Sequence, residues 1–124
     1  MERHAHDVHE LILVLRGSQE SQVSDTMLAA NEGDILLYRS GIAHEEWASR
    51  ALESYFLAFK WRDCPPNMPV NIRDTRGRVR VILEWLHEET LARTPAAQSS
   101  SRALLQIALA EIVRLSTASD SDLT

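Results

Sequence analysis

The sequence has 124 residues, the size of one ordinary domain and too short for a second full module. Apolar residues make up 44% and charged residues 25%, a balance that excludes a disordered or fibrous chain. Eighteen acidic against thirteen basic side chains give a formal charge of −5, so phosphate backbones would repel these residues and nucleic-acid binding by them alone is disfavoured.

The residues up to about 61 break into short apolar or alternating runs with turn residues between them, the pattern of antiparallel β structure. Residues 11–15 are continuously apolar and predict a buried central strand, stopped by Arg16, Gly17 and Ser18. Weaker strands are expected at 20–24 and 26–30 around Asp25. Asn31, Glu32, Gly33 and Asp34 form a strong turn signal ahead of a strand at 35–38. At 54–61 the chain alternates, with Tyr55, Leu57, Phe59 and Trp61 on one face. Several short strands with frequent turns predict a sandwich or barrel.

Pro65, Pro66 and Pro69 then mark a boundary, since such a segment fits neither a central strand nor a helix interior. Residues 64–74 read as a proline-rich linker after a β portion spanning 1–63. Val79, Ile82, Leu83 and Leu86 fall at helical spacing and predict a helix over 75–91. A second helix is expected over 97–115, its apolar stripe widened by Leu104 and Ile107. The helical pair thus occupies 75–117, and 118–124 reads as a flexible tail. The broad apolar side of the second helix, with Leu104, Ile107, Ala108 and Ile112, is the expected contact of a homodimer.

Chemistry concentrates near the amino terminus. His4, His6 and Glu10 have even spacing, which puts them on one side of an extended chain. A six-residue strand spans about 20 Å, so convergence needs a chain reversal, for which Asp7 is placed. His44, after the segment from Gly33 to Gly41, could reach the same place from an antiparallel neighbour. Three imidazoles and a carboxylate suit Zn, Fe, Mn, Ni or Cu and leave positions open for water or substrate. The alternative for these four is that they are lumen residues hydrogen-bonded to neighbours, with no metal. Tyr38, Trp47 and Tyr55 could line an effector pocket or serve as core. His9 reads as a solvated neighbour and His87 as a surface residue. Arg73, Arg76, Arg78 and Arg80 read as a solvated face rather than a phosphate site.

The run His4-x-His6-x-x-x-Glu10 followed by Gly17 resembles the first cupin motif. Gly33, Arg39, Gly41 and His44 resemble the second in part, with arginine where proline is usual. The residues from His6 to Gly17 and from Glu32 to Leu37 more closely resemble the sensor domains of AraC-type regulators. That resemblance implies a mainly β chain with C-terminal helices: a cupin-like β-barrel (double-stranded β-helix) followed by an antiparallel helical pair. It implies an effector pocket at His4, His6, Glu10, Tyr38, His44 and Trp47, with His4, His6, Glu10 and His44 as ligands of any divalent transition metal. It also implies a homodimer through the last helix and DNA contact only through a helix-turn-helix region absent from these residues. The expectation is a binding module rather than an enzyme. The rival is a stand-alone metal-dependent cupin enzyme, a dioxygenase or isomerase.

Cys64 cannot form an internal disulfide and has no strong positive neighbour except Arg62, so no reactive nucleophile is expected. No signal-peptide order or bilayer-length apolar run is present, so the expected compartment is the cytoplasm, with no membrane role.

Overall fold

The computed structural model describes residues 8–121, with side chains through residue 117. Two compact units divide at Arg73 and Asp74. The first holds seven strands among its described residues: β1 Val8–Arg16, β2 Ser18–Val23, β3 Thr26–Asn31, β4 Asp34–Tyr38, β5 His44–Ala48, β6 Glu53–Lys60 and β7 Asn71–Arg73. The second holds two helices, α1 Arg78–Ala92 and α2 Pro95–Ser121. The chain is therefore mainly antiparallel β with two C-terminal helices, as expected.

The strands form two sheets, one in the order β6-β1-β4-β7 and the other in the order β3-β2-β5. Ile12 and Val14 of β1, Leu36 and Tyr38 of β4, Val23 of β2 and Ala30 of β3 form one buried apolar cluster between them. The remaining side of β1 and β4 is also apolar and buried, with Leu11, Leu13, Ile35 and Leu37. Burial on both faces is why residues 11–15 read as a continuous run rather than an alternating one.

Turns follow the residues that permit them. Gly17, at φ 81°, joins β1 to β2, and Ser24 adopts a positive φ of 52° in the short β2–β3 connection. Asp34 accepts the Asn31 N–H at 2.9 Å and receives the Arg73 guanidinium at 2.9 Å, tying β7 to the turn before β4.

Three boundaries differ from the sequence expectation. The proline segment 64–74 is not only a linker: β7 within it pairs with β4, Ile72 standing opposite Ile35. Helix α1 begins at Arg78 rather than 75, because Gly77 takes a left-handed conformation and Asp74 accepts the N–H groups of Val79 and Arg80. Helix α2 continues through the expected tail to Ser121. The hydroxyls of Ser116 and Thr117 bond back to the Val113 carbonyl, so polar composition there does not break the helix.

Within the helical unit, Thr94 Oγ1 accepts the Ala97 N–H at 3.0 Å and starts α2 directly after the left-handed Arg93 that ends α1. Glu111 is buried on α2 and meets Arg114 at 3.2 Å and Arg78 at 3.8 Å. Arg80 pairs with Glu84 at 3.4 Å. Arg73, Arg78 and Arg80 of the basic run are thus met by acids of the chain.

Candidate effector site

The site lies between the sheets of the first unit, and strand register fixes which side chains reach it. Glu10 stands opposite Tyr38 on β4 and opposite Ala58 on β6. Neighbours in register point to the same side, and Tyr38 belongs to the inter-sheet core, so Glu10 points inward too. In the facing sheet, His44 stands opposite Val23 and Glu46 opposite Ser21. Val23 is core and Ser21 is buried, so His44 and Glu46 also point inward.

His44 Nε2 consequently lies 3.5 Å from Glu10 Oε2 and 3.3 Å from Glu46 Oε1. Its Nδ1 lies 3.4 Å from the Ile42 carbonyl. Tyr38 stacks on the imidazole and donates its hydroxyl to Ser21 Oγ at 2.8 Å. Burial pushes the Tyr38 phenol above its ordinary range, the Ser21 hydrogen bond opposes this, and the Glu46 charge adds to it. One ligand atom from each of Glu10, His44 and Glu46 can be chosen so that all lie within 4.8 Å of one another, a spacing that admits a cation.

Beside this group is a cavity of about 350 Å³. Val8, Glu10, Tyr38 and His44 form its strand side, and the loop residues Arg39, Ser40, Gly41 and Ile42 form the other. That volume falls in the range of small-molecule pockets.

The structure brings together Glu10, Tyr38 and His44 of the expected pocket. His4 and His6 lie outside the described residues. Trp47 is corrected: it stands opposite Glu20, on the side of β5 away from His44, and is 46% exposed. Adjacent strand residues face opposite ways, so His44 and Trp47 cannot share a pocket wall. Tyr55 stands opposite Leu13, off the inter-sheet side. His9 is likewise not solvated: it is buried, with its ring stacked at 6.0 Å from Phe59. Leu104, Ala108 and Ile112 are 4%, 1% and 0% exposed within the single chain. They are core, and of the four expected dimer contacts only Ile107 presents itself to solvent.

Glu46 and the place of residues 39–42 on the cavity wall lie outside the sequence expectation, which named Arg39 and Gly41 only as motif positions. The available signal was parity, since Glu46 is two residues beyond His44 on the same strand. Cys64 is partly buried, which pushes its thiol above the ordinary value of 9.0, while the charge of Arg39, rather than that of Arg62, opposes the rise.

The family described as AraC-like ligand binding domain matches residues 1–119. No curated protein matches the sequence. Among solved structures the chain is similar to Bacillus subtilis oxalate decarboxylase, at TM-scores of 0.39. The R92A mutant is 20% identical, with 64% of this chain and 23% of that chain covered. A structure from a study of its Mn(II) centres is also 20% identical, covering 74% and 27%. The structure at pH 4.6 is 21% identical, covering 89% and 26%. This chain therefore spans about a quarter of the length of those proteins. No described helix is long and apolar enough to cross a membrane.

Proposed function

The chain belongs to the AraC-like ligand-binding domain family, and from that premise we propose that it senses a small-molecule effector in the cavity at Glu10, Tyr38 and His44. The observation that carries the reading is that cavity, beside the inter-sheet core and walled by the Tyr38 ring, the His44 imidazole, the Glu10 carboxylate and Arg39. A few convergent polar groups in a concave site fix the orientation of a ligand, while the surrounding apolar wall supplies contact. DNA recognition would belong to a helix-turn-helix region outside these residues. Homodimerisation through α2 and a cytoplasmic location belong to the same reading.

Sensing requires that the effector favour one of two conformations, since a ligand with equal affinity for both shifts nothing. The test is a thermal-shift screen of a library of small metabolites against wild type and His44→Ala. A ligand at a hundredfold excess over its Kd stabilises the native state by about 2.7 kcal/mol. A compound that raises the melting temperature of wild type but not of the variant supports the reading; a library with no such compound defeats it.

A second reading is favoured by Glu46. With Glu10 and His44 it makes a mixed nitrogen and oxygen set fit for Zn, Fe, Mn or Ni, to which His4 and His6 are further candidate donors. A resident metal would open the way to the metal-dependent cupin enzyme. Metal analysis of purified protein decides this: near-stoichiometric metal lost in both His44→Ala and Glu46→Gln supports it, and metal-free wild type removes it.

A further inference from the structure

The polar side chains on the cavity wall are not equally satisfied. Glu10 has the edge of the His44 imidazole at 3.5 Å, and that ring also has Glu46 at 3.3 Å and the Ile42 carbonyl at 3.4 Å. The Tyr38 hydroxyl is directed to Ser21. Arg39 differs from these. Its Nη2 donates to the Pro65 carbonyl at 3.0 Å, but its Nε is buried and has no hydrogen-bond partner among the described residues. No carboxylate among the described residues pairs with it, whereas Arg73, Arg78, Arg80 and Arg114 each meet an acid. The Cys64 thiol feels the Arg39 charge, yet burial holds it above 9.0, so at neutral pH it is no counter-charge. The other buried side-chain nitrogen without a partner, Gln19 Nε2, lies off the cavity wall.

The guanidinium is also held in place. The Arg39 carbonyl accepts the Ile42 N–H at 3.3 Å, which closes a four-residue turn with Gly41 in its third position at φ 82°, as a type II turn requires. The far end of the side chain is tied to Pro65. A half-buried guanidinium that lacks acceptors is unfavourable on its own, because its charge and N–H groups have left water without full replacement. Val8 and Ile42 give the same cavity apolar surface, and Ile42 is 36% exposed.

We propose that the effector is a small organic carboxylate, its carboxylate set against the Arg39 guanidinium and its apolar body against Val8 and Ile42. A guanidinium carries five N–H donors and no acceptor, and a carboxylate is the planar partner with which it makes strong, charge-assisted bonds. Inorganic phosphate offers oxygens to the same donors, but it carries more negative charge at neutral pH and has no apolar body. Glu10 shares the wall, so the single charge of a carboxylate is repelled less. A cavity of about 350 Å³ suits a ligand at the small end of the usual range. The assignment rests on the cavity being the sensor pocket.

The test is isothermal titration of the full chain at neutral pH in a zwitterionic buffer, using wild type, Arg39→Gln and Arg39→Lys. The probes are isobutyrate, hexanoate and phenylacetate, each beside its primary amide, together with sodium phosphate. At least one carboxylate should bind wild type at least about tenfold more tightly than its amide, which has the same shape without the charge. Arg39→Gln should bring the two within about twofold of each other, a change of preference that a merely structural role would not produce. Arg39→Lys keeps the charge and should retain part of the preference. If Arg39→Gln does not fold, the wild-type ratio and Arg39→Lys decide. The proposal is overturned if none of the three carboxylates binds, if wild type binds them no more tightly than their amides, or if Arg39→Gln leaves the preference intact. Phosphate binding tighter than every carboxylate overturns it in favour of an inorganic anion. If the carboxylates fail while a neutral or cationic library compound still stabilises wild type and not His44→Ala, only the carboxylate assignment falls. If nothing stabilises wild type, the sensor reading falls with it.

Discussion

Tyr38 and His44 lie ring on ring, their centroids 3.9 Å apart and their planes 4° from parallel. The stack joins the two sheets from inside, because Tyr38 belongs to β4 and His44 opens β5. It holds the imidazole where its edge meets Glu10 and Glu46.

Tyr38→Phe separates the ring from its hydroxyl. Ser21, fully buried, loses the 2.8 Å partner, so the variant should be less stable at neutral pH by about 1–3 kcal/mol. At alkaline pH the order of sensitivity reverses. The folded-state pKa of Tyr38 is raised, chiefly by burial, above its ordinary 10.0. The folded chain then keeps a proton that the unfolded chain has released, so this contribution is complete below pH 10.0 and is lost as pH rises above it. Urea titrations at neutral pH and just above pH 10 should show a steeper loss for wild type than for the variant. Parallel losses would refute the assignment.

What the sequence reveals here follows the apolar pattern. The strand at 11–15 and the helices were legible because burial leaves a period, and Glu10 and His44 were legible because a polar residue interrupting that period at motif spacing stands out. Strand β5 was not, since His44, Glu46 and Ala48 face a polar site and give no apolar alternation. β7 was hidden for another reason: three residues behind prolines are too few for a pattern, and only pairing with β4 makes them a strand. On α2 the apolar stripe is broad in the sequence, but its breadth serves the interior of the chain, which only side-chain burial separates from a partner's share.

Gly17 and Gly41 offer a paired test of space against backbone strain. Both have positive φ, 81° and 82°. A Cβ on Gly17 would sit 2.7 Å from the Ala51 carbonyl oxygen, whereas one on Gly41 would meet nothing within 4 Å. Gly41→Ala should cost only the left-handed penalty, about 1–2 kcal/mol. Gly17→Ala should cost clearly more, because the obstruction is backbone that cannot rotate away. Denaturant midpoints of the two variants check this; equal losses would mean the β1–β2 turn relaxes freely.

Asp74 begins the helical unit with its carboxylate bonded to two N–H groups, Val79 at 3.2 Å and Arg80 at 3.0 Å. Removing it leaves donors at the start of α1 without that acceptor. Asp74→Ala should therefore lower stability by about 1–2 kcal/mol, with Asp74→Asn losing less because an amide oxygen can still accept. Hydrogen exchange of the Val79 and Arg80 amides checks the cause, since protection there should fall in Asp74→Ala before it falls in the sheets.

Dimerisation through α2 is best tested by two glutamates placed one helical turn apart. Leu104 is 4% exposed and Ile107 52%. Leu104→Glu buries a carboxylate that no arginine has been shown to meet, so it should unfold or strongly destabilise the single chain, by several kcal/mol, whatever the oligomeric state. A monomer produced that way would say nothing about an interface. Ile107→Glu lies on the wet side and should change stability by no more than about 0.5 kcal/mol in a monomer. Sedimentation of the two variants beside wild type gives the expected result: a dimeric wild type, a folded monomer for Ile107→Glu, and a loss of fold for Leu104→Glu. A wild type that sediments as a monomer, or an Ile107→Glu variant that remains dimeric, would remove α2's exposed side as the contact between copies.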